Sequence, residues 1–76
     1  MYKLTVRLEK FHFCYGIKSK NKQYNSLSRD KYAVQRLCEL CNELKLDEVH
    51  IGDVIEDFLS DPSDVKEYVK EYSKKP

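Results

Sequence analysis

Lys3, Thr5 and Arg7 stand two residues apart near the start of the chain, and Lys18, Lys20 and Lys22 repeat that spacing further on. On an extended strand, alternate side chains share one face and lie about 6.5–7 Å apart. Cations at that spacing suit a phosphate backbone, from which they release counterions. Lys10 falls between the two sets, and Tyr24 follows them with a ring able to stack on an exposed base. The candidate nucleic-acid contacts are therefore Lys3, Thr5, Arg7, Lys10, Lys18, Lys20, Lys22 and Tyr24. A solvated strand face beside a loop that protects a sheet edge would use the same residue types.

The charge is sorted along the chain. Residues 1–36 carry nine Lys and Arg against two acids, and residues 37–76 carry five against eleven. A net +7 half is thus joined to a −6 half, beneath a total of only +1. Such a split prompts a search for a polyanionic partner of the first half. In the second half, Asp47, Glu48, Asp53, Glu56, Asp57, Asp61 and Asp64 form an acidic set. Asp53, Glu56 and Asp57 fall at helical spacing opposite an apolar stripe, as a solvated face would. With Tyr68 and Tyr72 they are also the candidate protein-interaction residues.

Cys38 and Cys41 form a C-x-x-C, and His12, Cys14 and His50 complete the soft ligands. His12 and Cys14 on one strand face, with Cys38 and Cys41 on one helix face, could close a Cys₃His zinc site. Leu37, Leu40 and Leu44 surround the cysteine pair, with no flanking Gly or Pro. Thiols buried in an apolar seam are the preferred reading. Redox chemistry would need the pair at a helix N-terminus, where a thiol pKa falls. No metal and no cofactor is expected. A Gly-rich phosphate loop, a nucleophile elbow and an H-E-x-x-H are all missing from the sequence, so no enzyme is expected.

These residues must be positioned by one small α+β domain spanning residues 1–76. Tyr2, Leu4, Val6 and Leu8 alternate with polar residues, then the phase slips so that Phe11, Phe13, Tyr15 and Ile17 are the apolar set. This is a strand or irregular hairpin over about 2–17. A bulge near Glu9-Lys10 is slightly favoured over a tight turn, because that pair lacks Asn-Gly chemistry. Residues 18–28 read as a basic surface loop, with room for a short strand around Gln23-Tyr24. Ser28 is the expected N-cap of a helix over about 29–45, with Ala33, Val34, Leu37, Leu40, Cys41 and Leu44 inward. A second amphipathic helix is expected over about 49–59, through Val49, Ile51, Val54, Ile55, Phe58 and Leu59. Its rival is a short strand 49–51 followed by a helix from Asp53. Asp61 and Pro62 start a third helix over about 62–74, with Val65, Tyr68, Val69 and Tyr72 inward. Glu67 with Lys70, and Glu71 with Lys75, are placed to pair along it.

The opening YKLTVRL resembles the strand of ribbon-helix-helix DNA-binding proteins, and LCELCNELKLDEVHIGDVIEDFL, residues 37 to 59, is similar to their helix pair. That resemblance implies a homodimer in which Lys3, Thr5 and Arg7 read bases from a shared two-stranded ribbon. Here some twenty residues intervene between strand and helix, and Asp47-Glu48 stands where the family often has Ser or Thr.

Two functions follow as expectations. The first is a dimeric, cytoplasmic nucleic-acid-binding regulator of transcription that uses the basic half. The second is an inhibitor of the kind made by phages and other mobile elements, docking on a host protein through its acidic, Tyr-rich helices. No membrane span and no signal peptide is read, since MYKLTVRLEK alternates rather than forming a continuous apolar run. Three Cys without a secretion signal fit reduced thiols.

Overall fold

A computed structural model describes residues 1–74. Lys75 lies outside them, and with it the expected Glu71–Lys75 pair. Three strands, β1 (Lys3–Glu9), β2 (His12–Lys18) and β3 (Gln23–Ser28), form an antiparallel sheet in the order β1-β2-β3. Three α-helices follow: α1 (Lys31–Glu43), α2 (Ile51–Ser60) and α3 (Val65–Ser73). Short 3₁₀ turns, Glu48–His50 and Pro62–Asp64, lead into α2 and α3. The expected α+β class is the one observed.

The favoured bulge gives way to a hairpin. Glu9 pairs with His12, so Lys10 and Phe11 alone make the turn. Lys10 takes a left-handed φ of 56°, which supplies the reversal that Asn-Gly would usually provide. The turn also explains the phase slip. Leu4 pairs with Ile17, Val6 with Tyr15 and Leu8 with Phe13, which puts both apolar sets on one side of the sheet.

The expected loop over 18–28 is shorter than read, because β3 runs to Ser28. Its register shifts between Tyr15 and Ile17, and Ser26 sits at φ 57°. The N-cap of α1 is Asp30 rather than Ser28. The Asp30 side chain accepts from the Ala33 N–H, while the Ser28 hydroxyl accepts from the Asp30 N–H. The second helix holds against its strand rival. Val49 and Leu59, expected inside, are 63% and 57% exposed. Asp61 caps the 3₁₀ turn Pro62–Asp64 with Pro62 at its first position, so the helix expected from 62 begins as a 3₁₀ turn and becomes α-helical only at Val65.

One apolar layer lies between the sheet and the helices. Ile17, Val34, Leu37, Cys41, Val54 and Val69 are fully buried there, and Leu4, Tyr15 and Tyr24 pack against them. Helix α1 touches all three strands and α3, and α3 touches α2. Tyr2 fastens the start of the sheet to the end of α1. Its N–H donates to Asn42 Oδ1 at 2.7 Å, Asn42 Nδ2 donates to its carbonyl at 2.9 Å, and its hydroxyl donates to the Leu46 carbonyl at 2.8 Å. Burial pushes the Tyr2 phenol up to about 12. No helix among the described residues is long and apolar enough to cross a membrane.

Candidate nucleic-acid interface

The register fixes which predicted contacts share a surface. Lys3 stands directly opposite Lys18, Thr5 opposite Gly16, and Arg7 opposite Cys14. Since Leu4 and Ile17 face the helices, these residues occupy the other, helix-free face of the sheet. Lys3, Lys18 and Lys20, with Met1 and Ser19, line a shallow depression of about 290 Å³ at one end of that face. Two like charges directly opposite each other across a ladder repel. Nothing in the core requires them there, since both side chains are exposed.

The turn that carries Lys20 and Lys22 is held rather than loose. The Ser19 N–H donates to the Lys22 carbonyl at 2.7 Å. Glu48 then accepts from the Ser19 hydroxyl, from the Asn21 N–H at 3.0 Å and from Asn21 Nδ2 at 3.1 Å. The Ser19 and Asn21 donors, aided by nearby Lys22, hold the Glu48 carboxyl below its ordinary value. Glu48, counted from the sequence in the acidic set, serves here as the clamp on a lysine-bearing turn.

Other expected contacts fall elsewhere. Lys10 is in the hairpin turn, at the opposite end of β1 from Lys3 and about 23 Å away along the strand. Tyr24 is paired with Ile17 and packs against the core, so its ring leaves the lysine face. Lys45, counted by sequence within the acidic half, lines a second depression that shares Met1 with the first. No strand or loop spacing connects Lys45 with Lys3, and only the return of the chain after α1 brings it to this end.

The protein-interaction set also divides. Asp53 and Glu56 are exposed on α2, while Asp57 is half-buried and hydrogen-bonds Tyr72. Tyr68 and Tyr72 are half-buried and pack against the core, and burial raises both phenols. They are packing residues more than an open aromatic patch. Four of the apolar residues that do stand in solvent, Val6, Leu8, Phe11 and Phe13, are on the hairpin, and Met1, Tyr32, Val49 and Leu59 are exposed elsewhere.

His12 and Cys14 lie on the open face, opposite Glu9 and Arg7, whereas Cys38 and Cys41 are buried on α1 across the sheet. The sheet therefore separates the four ligands of the conceivable zinc site. Among the described residues, no group of three or more His, Cys, Asp and Glu is placed to hold a metal ion. All three cysteines are free. Burial pushes the Cys41 thiol up to about 12 and raises that of Cys38, which keeps both as unreactive thiols.

No protein-family model, no curated protein and no solved structure matches this chain.

Proposed function

We propose that this protein is a small, non-catalytic nucleic-acid-binding regulator that lays the lysine-bearing end of its open sheet face on a phosphate backbone. The observation that carries this reading is the cross-strand Lys3–Lys18 pair, joined by Lys20 around one depression. The repulsion between these cations lowers stability slightly and is relieved when a phosphate sits between them. Glu48 supports the same reading by fixing the turn that presents Lys20. Free, buried thiols fit a reducing compartment such as the cytoplasm.

The test is a gel shift with short duplex and single-stranded DNA at two salt concentrations. Wild-type protein should retain DNA at low salt. The double variant Lys18→Glu, Lys20→Glu should lose that retention while its circular dichroism stays unchanged. Neutral replacement of the same two residues should flatten the salt dependence by roughly 1.8 in log–log slope, about 0.9 per lost phosphate contact. Absence of binding by the wild type, or undiminished binding by the Glu variant, sinks the reading. Stoichiometric capture of a host protein by a chain that retains no DNA would reassign it to protein interaction.

A further inference from the structure

The two edges of the sheet are not alike. The β3 edge is broken by a register shift, with Ser26 in a left-handed conformation. Such irregularity protects an edge from pairing with another chain. The β1 edge is seven residues long, regular in its register and free of proline. Its outer N–H and C=O groups form a template for one more strand.

On the helix side of β1, the cover is incomplete. Leu4 packs against the core. Val6 and Leu8 are 61% and 62% exposed, and Phe13, opposite Leu8, is 57% exposed. The helices therefore cover the Leu4 end of the strand and leave the Leu8 end bare.

We propose that β1 joins two copies of this chain, antiparallel about a two-fold axis through Val6, into one continuous six-stranded sheet. Val6 is the middle residue of β1, so this register uses the whole strand. It sets Lys3 opposite Glu9 of the second copy, Leu4 opposite Leu8, Thr5 opposite Arg7, and Val6 opposite Val6. Opposite charges meet on the open face, and apolar residues meet on the helix side. The Ser26 hydroxyl draws the Glu9 carboxylate toward β3, and the long stem of Lys3 from the second copy is able to follow it.

The same symmetry answers the incomplete cover. The bare Leu8 end of one copy comes to lie beside the Leu4 end of the other, where that copy's helices sit. Each copy thus shelters what the other leaves open. A two-fold operator makes the contact self-complementary and closed, so it ends at a dimer.

Light scattering and sedimentation on the full chain, without nucleic acid, test this separately from the proposed DNA contact. The wild type should give the mass of two 9.1 kDa chains at high micromolar concentration. Val6→Lys puts like charges on the axis at a site exposed in the single copy, and should give a folded monomer. Lys3→Glu and Glu9→Lys should each weaken the dimer roughly tenfold, and the double swap should restore it, because two such pairs form per dimer. A wild type that stays monomeric overturns the proposal and leaves the hairpin end to a different partner. A dimer that survives Val6→Lys, or a double swap no better than the single changes, overturns it as well.

Discussion

Gly16 shows how one residue sets the relation of β3 to the rest of the sheet. A Cβ at Gly16 would lie 2.1 Å from the Tyr24 carbonyl oxygen, 2.8 Å from Thr5 Oγ1 and 2.9 Å from Asn25 Cα. Two of these neighbours are backbone atoms and have no rotamer to retreat into. Gly16→Ala is therefore expected to cost roughly 2–4 kcal/mol, read as a lower urea midpoint. A variant with the wild-type midpoint would mean that β3 does not approach Gly16 so closely. A glycine inside a strand pattern does signal close approach of another backbone, so this feature was partly legible in the sequence. Tyr24 was not. Its neighbours in sequence are polar and basic, and only pairing with Ile17 turns its ring inward, where its hydroxyl comes close to Gly52.

At the scale of elements, a helix boundary is legible where its cap is built from neighbouring residues. Asp61-Pro62 marks the start of the helical segment that leads into α3, a 3₁₀ turn, because the cap acts within two residues, through Asp61 Oδ1 and the Ser63 N–H at 3.1 Å. The end of α1 carries no glycine signal. There the Leu46 N–H donates to the Cys41 carbonyl at 2.9 Å and the Lys45 N–H to that of Asn42 at 3.2 Å, with Lys45 left-handed at φ 53°. This is a Schellman cap built on lysine, closed by burying Leu46. Lys45→Gly should stabilise the fold by about 0.5–1 kcal/mol, because a β-carbon is disfavoured at that φ. Thermal melting checks it, and a lowered midpoint would mean that the lysine side chain contributes more than its backbone strain costs. The Lys10 turn follows the same logic, which is why a hairpin lacking Asn-Gly read more easily as a bulge.

For the whole molecule, Glu48 on the 19–22 turn is, with the Tyr2 contacts to Asn42 and Leu46, one of the contacts that join the sheet to the helical half at the basic end. Its folded-state pKa lies below the ordinary 4.5. A depressed carboxylate contributes stability that is fully present above the unfolded value and lost as pH falls through the folded one. The clamp should therefore hold above about pH 5 and release progressively as the pH drops below 4.5. Amide exchange at Asn21 is the readout, and Glu48→Gln should remove the pH dependence at that site. An Asn21 amide that titrates identically in wild type and variant would refute the clamp.

The sequence by itself determined the α+β class, the strand alternation, the amphipathic helices and the charge split, because periodicity and capping act over a few residues. It also placed Lys3, Thr5 and Arg7 on one face, since alternation along a strand is local. Only the tertiary structure decided which cations stand together. Lys3 meets Lys18 through hairpin register, Lys20 is presented by a clamp 27 residues away at Asn21–Glu48, and Lys45 arrives by the return of the chain after α1. Tyr24, Tyr68 and Tyr72 were claimed by the core for the same reason. Long-range pairing, rather than composition, determines which side of a side chain's neighbourhood is protein and which is water.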